Sequence, residues 1–310
     1  MTPMKWPDEL IFIPNSRKTQ KTTTARMDGR LCVITGATSG VGYHAADRLA
    51  EGGARLVLVC RNAEKGNKVK EELESKHKTS VQIVKADFAH LSQVRKAAAA
   101  ILEDHPRIDV LINNAGIHNT KRNLTNDGVE TVFHVNHLAS FLFTELLLPR
   151  ILTSAPARVI QINSQGHRFG GLDLNDLNWD KRRYHGLQGY GASKVAQLLT
   201  AWELADRLKE SGVTINAMHP GAVRTNIGMN NNSLYQWYQR YLLWPLLKDA
   251  RISGEAIYYL AAAPEMAEVS GRFFNLTIDE KPAGHALDRD LGKQVWKVSN
   301  KLTGLEATDV

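Results

Sequence analysis

Short apolar runs alternate with longer amphipathic stretches along most of the chain. Residues 31–35, 56–60, 81–84, 110–112, 159–162, 214–218 and 272–275 each read as a strand, with helical spacing between successive runs. The stretch that follows the first run keeps its helical spacing to Leu49 and stops at Gly52-Gly53. Strands that are apolar throughout are buried on both faces, and the intervening helices supply right-handed crossovers. The pattern predicts an α/β fold, a single doubly wound domain around a parallel sheet of about seven strands. Neither an internal period nor a low-complexity segment interrupts it.

Residues 1–27 depart from this pattern. They carry Lys5, Arg17, Lys18, Lys21 and Arg26 and a Thr22-Thr23-Thr24 run, with little apolar periodicity. We read them as an N-terminal extension over the surface of a domain spanning residues 28–310, pinned by Trp6, Leu10, Ile11 and Phe12. The 310 residues, 43% apolar and 23% charged, suit one large domain, because no proline, glycine or serine linker divides the middle. The net charge of +7 raises the question of nucleic acid, yet the basic residues are scattered and interleaved with acids, as over 64–76. The expectation is a solvated surface with some attraction for phosphate-bearing small molecules, and no nucleic-acid partner. Cys32 and Cys60 each fall inside a predicted strand, outside any disulfide framework or metal spacing, which fits a reducing compartment. No uninterrupted apolar stretch reaches the roughly 18 residues of a membrane span, and none in residues 1–27 is long enough for a secretory core. A soluble, unprocessed cytoplasmic protein is expected.

The first strand runs into Thr35-Gly36-Ala37-Thr38-Ser39-Gly40-Val41-Gly42, and the predicted helix begins within it. A strand, a glycine turn and a helix N-terminus in that order form a dinucleotide cradle of the Rossmann type: the turn is sharp, backbone amides approach a pyrophosphate, and the helix end favours anions. At the end of the second strand, where an acid would hold a ribose 2′-hydroxyl, stands Cys60-Arg61-Asn62. Arg61 can fork onto a 2′-phosphate, so NADP(H) is preferred over NAD(H); the alternative is that Arg61 merely opens the next helix in solvent.

Farther along lies Tyr190-Gly191-Ala192-Ser193-Lys194. On a helix, positions four apart lie one above the other, so phenol and ammonium share a space. Bringing a phenol about three units toward neutrality takes roughly 4 kcal/mol of preferential phenolate stabilisation. An ammonium about 4 Å away supplies that order of energy at an effective dielectric near 20, before desolvation. General acid/base work by Tyr190 is the expected use.

With these residues in place the chain resembles the short-chain dehydrogenase/reductase family, and within it the retinol-dehydrogenase-like and WW-domain-oxidoreductase-like branch. The resemblance covers about Asp28 to Gly304 and rests on the glycine turn, Asn113-Asn114-Ala115-Gly116, Asn136, Ser164, Tyr190 to Lys194, and Pro220-Gly221 with Thr225. It implies that Ser164 hydrogen-bonds the substrate carbonyl, that Tyr190 exchanges the proton, and that Lys194 holds the nicotinamide ribose and lowers the tyrosine pKa. Asn136 would position a water in the proton relay beyond the lysine. Gly36, Ser39, Gly40, Val41 and Gly42 would hold the pyrophosphate, with Arg61 and Asn62 at the adenosine ribose. Asp87 and Phe88 would meet the adenine, and Asn114, Ala115 and Gly116 would lie beside the adenosine half. Pro220, Gly221, Val223 and Thr225 would orient the carboxamide. Two departures from the shortest family members are an insertion over 172–188, a candidate pocket wall, and Asn163 where a serine commonly precedes the catalytic serine. His134, His137 and His167 read as packed or surface histidines, and no metal requirement is expected.

Residues 234–247 are dense in aromatic and aliphatic side chains. They fit a lid over a lipophilic alcohol or carbonyl substrate, an interface with a partner subunit in a homodimer or with a membrane surface, or plain core. Two other functional readings stay open here: a catalytically silent dinucleotide-binding sensor or interaction protein, against which the Ser164 and Tyr190 hydroxyls argue, and an epimerase or dehydratase of the same family.

Overall fold

The computed structural model describes residues 12–15, 18–224, 227 and 247–305. Its sheet is assembled from the apolar runs: β1 (Leu31–Thr35), β2 (Arg55–Cys60), β3 (Val81–Lys85), β4 (Val110–Asn113), β5 (Ala157–Ile162), β6 (Val213–His219) and β7 (Phe273–Asn275). These seven pair in parallel. The seven are the parallel strands expected, and an eighth, β8 (Ile278–Asp279), adds an antiparallel edge, giving the order β3-β2-β1-β4-β5-β6-β7-β8. Two residues after a tight turn carry no periodicity, and nothing in the sequence marks them as a strand.

Helices cover both faces. Val33, Leu111 and Val159 face α3 (Leu91–Asp104), α4 (Ala139–Thr153), α5 (Gly186–Arg207) and α7 (Arg289–Thr303), whereas Cys32, Ile34, Ile112 and Ile160 face α1 (Gly40–Glu51), α2 (Ala63–His77) and α6 (Arg251–Ala262). Alternate residues of one strand thus enter separate cores, which is why these strands are apolar at every position. Strand order reverses between β1 and β4, and at that point the carboxyl ends of the strands open a crevice.

The helical run Thr131–Thr153 is long and apolar enough to cross a membrane, yet 83% of its most apolar window is buried inside the domain. It is a core helix, and its sequence is broken by His134, Asn136, His137 and Glu145. Of the N-terminal extension, a helix spans Phe12–Asn15, the Gln20 side chain accepts from Thr277 N–H at 3.0 Å, and Lys21 N–H donates to Thr277 Oγ1 at 2.8 Å. Trp6, Leu10 and Ile11, Thr225, and residues 234–246 lie outside the described residues.

Candidate active site

At the glycine turn, Gly36 and Gly40 take φ of +70° and +57°, the left-handed region that glycine enters at little cost. The α1 N-cap, Ser39, is extended and its side chain makes no capping bond. With no acid in the first turn, the amide end of α1 faces the crevice as an anion site. A Cβ on Gly42 would meet Asn114 Nδ2 at 2.4 Å and Gly36 O at 2.5 Å, so only glycine lets the helix close on the turn. Asn114 Nδ2 donates to Thr35 O at 2.8 Å and Gly36 O at 3.1 Å, while Thr35 Oγ1 accepts from the Asn114 and Ala115 amides, both at 2.9 Å. Both Asn114 amide protons are therefore spent on the turn. Its side chain holds the cradle in shape. These features fit a dinucleotide pyrophosphate.

Beyond the turn, Arg61 is exposed at the end of β2, and Asn62 caps α2 by accepting from Lys65 N–H at 2.8 Å. Asp87 Oδ1 accepts from Ala89 N–H at 3.0 Å. The Phe88 ring is buried against Phe143, with centroids 5.7 Å apart. Gly221 has φ +86°, Pro220 O accepts from Ser253 Oγ at 2.6 Å, and Val223 forms a bridge with Lys248.

Ser164, Tyr190 and Lys194 converge where β5 ends and α5 begins. Ser164 caps the following 3-10 turn, Gln165–Phe169, by accepting from Gly166 N–H at 3.0 Å. Capping and chemistry are not exclusive, because the same hydroxyl lies against Gly166 beside the Tyr190 ring, 3.4 Å from where a Cβ would stand. The phenol lies flat on Gly166, where a Cβ would meet Tyr190 Cε1 at 2.7 Å, and the His118 ring meets it edge-on with centroids 5.6 Å apart. Lys194 Nζ lies 5.5 Å from the Tyr190 ring centroid. Burial pushes the phenol up to about 12, partly offset by Ser164, and pushes the ammonium down to about 7. Desolvation therefore dominates both groups and acts on the phenol in the direction opposite to the lowering that the resemblance implies.

Asn136 sits in a π-helical turn, His134–Leu138, fully buried. Its Oδ1 accepts from Ile117 N–H at 2.8 Å, and its Nδ2 donates to Ile117 O at 3.1 Å and Ser193 Oγ at 3.0 Å. Residues outside the expected set complete the site. Asn163 Oδ1 accepts from Ser164 N–H at 2.8 Å and its Nδ2 donates to Lys194 O at 3.0 Å, so the departure from the common serine ties Ser164 to α5. Gln197 accepts from Lys194 Nζ at 2.9 Å; its place three residues beyond the lysine on one helix face was the available signal. The insertion braces the segment leading to Asn136. Glu130, fully buried, caps Val132 and Phe133, accepts from Tyr184 at 3.3 Å, and through its own N–H donates to Asn178 Oδ1 at 2.9 Å.

His137 pairs with Ser299 at 2.7 Å, and His134 lies beside Thr125 and Asp127. His167 Nδ1 donates to Ser164 O at 2.7 Å and its Nε2 accepts from Ala283 N–H at 3.1 Å. All three are packed side chains. Nearby, the buried Glu280 carboxylate accepts from Arg168 at 2.9 Å, Gln165 at 2.7 Å, Asn275 at 3.0 Å and Asn15 at 2.9 Å, joining the 3-10 turn, the sheet edge and the chain start.

A doubly wound sheet with a glycine cradle at its switch point and a Ser–Tyr–Lys cluster beside it defines a dinucleotide-dependent oxidoreductase architecture. The chain belongs to the short chain dehydrogenase family, whose sequence profile matches residues 30–236. It is 38% identical over 293 residues to human (Homo sapiens) retinol dehydrogenase 13, covering 92% of this chain and 88% of the relative. It is 34% identical to the WW domain-containing oxidoreductase of Pongo abelii, covering 94% and 76%. These relatives place it in the retinol-dehydrogenase-like branch. Among solved structures, an uncharacterized protein from Mycobacterium Paratuberculosis superposes with a TM-score of 0.74 at 31% identity, covering 94% of this chain and 100% of that one. A short chain dehydrogenase from Burkholderia cenocepacia, solved in complex with NADP, shares the fold at a TM-score of 0.64 and 24% identity, covering 82% and 98%.

Proposed function

We propose that the chain is an NADP(H)-dependent oxidoreductase acting on lipophilic alcohols and carbonyl compounds of retinoid-like, steroid-like or long-chain aldehyde type, with Tyr190 as the general acid/base. The observation that carries this reading is the convergence of three side chains at the crevice: Ser164 Oγ and the Tyr190 ring both lie against Gly166, and Lys194 Nζ stands 5.5 Å from the ring centroid. When bound, the nicotinamide dinucleotide supplies or accepts the hydride. The cradle of Gly36, Ser39, Gly40, Val41 and Gly42 would hold its pyrophosphate, and Arg61, with no acid at the end of β2, would pair with a 2′-phosphate.

The remaining work is proton transfer and positioning. Ser164 Oγ accepts from Gly166, which leaves its O–H to turn from Tyr190 to the oxygen where charge develops. Tyr190 gives its proton to that oxygen in reduction and takes it back in oxidation. The Lys194 charge favours the phenolate left behind. Phe169 on the 3-10 turn and Leu187 at the start of α5, on the two elements that carry Ser164 and Tyr190, are 55% and 46% exposed and supply apolar surface. The reading also allows residues 234–247 to act as a lid, a membrane contact or a dimer contact.

A panel of carbonyl compounds followed by NADPH absorbance tests it. Retinoid-like or long-chain aldehydes should outperform sugars, and Tyr190→Phe should lose roughly 10²-fold or more in turnover while retaining cofactor affinity. NADPH should bind more tightly than NADH, with Arg61→Asp inverting the order. Preference for sugars, or unchanged turnover in Tyr190→Phe, overturns the substrate or the chemistry respectively; equal dinucleotide affinities overturn the NADP(H) assignment.

A further inference from the structure

Lys194 has three N–H donors, and the fold commits two of them to neutral oxygens: Ile162 O at 3.0 Å and Gln197 Oε1 at 2.9 Å. Gln197 is 2% exposed. Its Oε1 also accepts from Asn163 Nδ2 at 3.2 Å, and its Nε2 donates to Asn136 O at 2.6 Å. The Asn136 carbonyl takes a second donor, Ser140 Oγ, at 2.7 Å, which engages both of its lone pairs. A water bridging Asn136 to Lys194, as the family resemblance implies, has no open acceptor on that carbonyl. The Gln197 amide spans the same gap.

We propose that Gln197 is a positioning residue for proton transfer: its amide stands where a relay water would bridge Asn136 and Lys194, aims its oxygen at the ammonium, and thereby sets the acidity of Tyr190. The proposal rests on the reading of Tyr190 as the acid/base. An amide oxygen facing an ammonium favours the charged form, and a charged Lys194 favours the phenolate. Because an amide does not take up and release protons at working pH, the path beyond the lysine ends at Gln197. Lys194 then acts through its charge, and protons exchange on the crevice side of Tyr190.

The groups facing this cluster come from several elements. His118, after β4, meets the phenol edge; Ser164, at the end of β5, meets its hydroxyl; Asn163 and Ile162 O meet the lysine. Behind Gln197, His137 and Glu145 line a small cavity. Burial opposes both charged forms, raising the phenol and lowering the amine, and this makes the Gln197 contact consequential.

The test is a tyrosinate-absorbance titration in four proteins: wild type, Tyr190→Phe, Gln197→Met and the double variant. Methionine keeps the volume and removes all three side-chain hydrogen bonds. Each difference with and without Tyr190 isolates that phenol, with no turnover required. Gln197→Met should make Tyr190 roughly tenfold less acidic. The pH profile of kcat should move by the same amount, while KM for the dinucleotide stays within about twofold of wild type. Gln197→Asn, which keeps an amide but is one methylene too short to span both partners, should shift in the same direction and serves if the methionine variant does not fold. An unmoved titration in a folded variant overturns the proposal, as does a rate loss equal at every pH. If wild type turns over no carbonyl compound with either dinucleotide, the oxidoreductase reading fails, and the titration still decides the role of Gln197.

Discussion

Glu145 offers a quantitative test of how the domain handles buried charge. It projects from α4 into a cavity of about 20 Å³ shared with His137, Thr144, Gln161, Gln197, Thr200 and Trp296, roughly room for one water. Its Oε1 is buried without a hydrogen-bond partner, and burial pushes the carboxyl from 4.5 up to about 7 against the pull of Arg207. The folded state therefore binds this proton more tightly than the unfolded chain. Below about pH 4.5 the group is neutral in both states and costs nothing; as pH rises through the window up to about 7 the folded state loses stability, and the loss is complete above it. Integrating the shift gives a cost of about 1.5 kcal/mol near pH 5.5 and about 3 kcal/mol near pH 8. Glu145→Gln keeps the shape and cannot ionise. It should stabilise the domain by about 2 kcal/mol more at the higher pH than at the lower, read as the variant-minus-wild-type difference in urea unfolding followed by tryptophan fluorescence. An equal gain at both pH values, or a loss near pH 8, refutes the reasoning.

Three further outcomes are expected. His137, His167 and His219 are held neutral by burial, with values pushed down to about 3, 4 and 4. Their stabilisation is present above the unfolded value of about 6.5 and falls as pH drops below it, so each should cost about 2 kcal/mol near pH 5, seen as a lower urea midpoint; a midpoint flat between pH 7 and 5 contradicts this. Glu280→Ala leaves the Arg168 guanidinium, 8% exposed, without its buried carboxylate partner and should lower stability by about 3–5 kcal/mol in the same assay. Gly42→Ala drives a methyl into Asn114 Nδ2 and Gly36 O, and should lower stability by about 1–3 kcal/mol and weaken dinucleotide binding in a fluorescence titration.

The parallel sheet was legible because two-sided burial writes itself as unbroken apolar runs, and α1 because a glycine turn followed by helical spacing has few other uses. The Ser164, Tyr190 and Lys194 cluster was legible through motif and helical period. What escaped depends on tertiary placement. The π-turn around Asn136 carries no compositional mark, and β8 is two residues long. The reach of Gln197 to Asn136 O crosses from α5 to a turn 61 positions earlier in the chain. The Asn114 side chain went to the cradle because the end of β4 lies beside β1, an adjacency set by strand order and not by proximity in sequence. The burial of the Tyr190 phenol was not legible for a related reason: spacing gives a distance between two charges, but not the solvent that each one loses.

Glu280 has a consequence for biosynthesis. Its partners Asn15, Gln165 and Arg168 stand 265, 115 and 112 positions away. A nascent chain leaving the ribosome already carries the peptide that bears Ser164, yet the carboxylate that ties down the turn behind it is still untranslated. Closing such loops costs entropy that local contacts cannot return, so the reaction centre is a late-maturing part of the molecule, completed only after Glu280 has emerged.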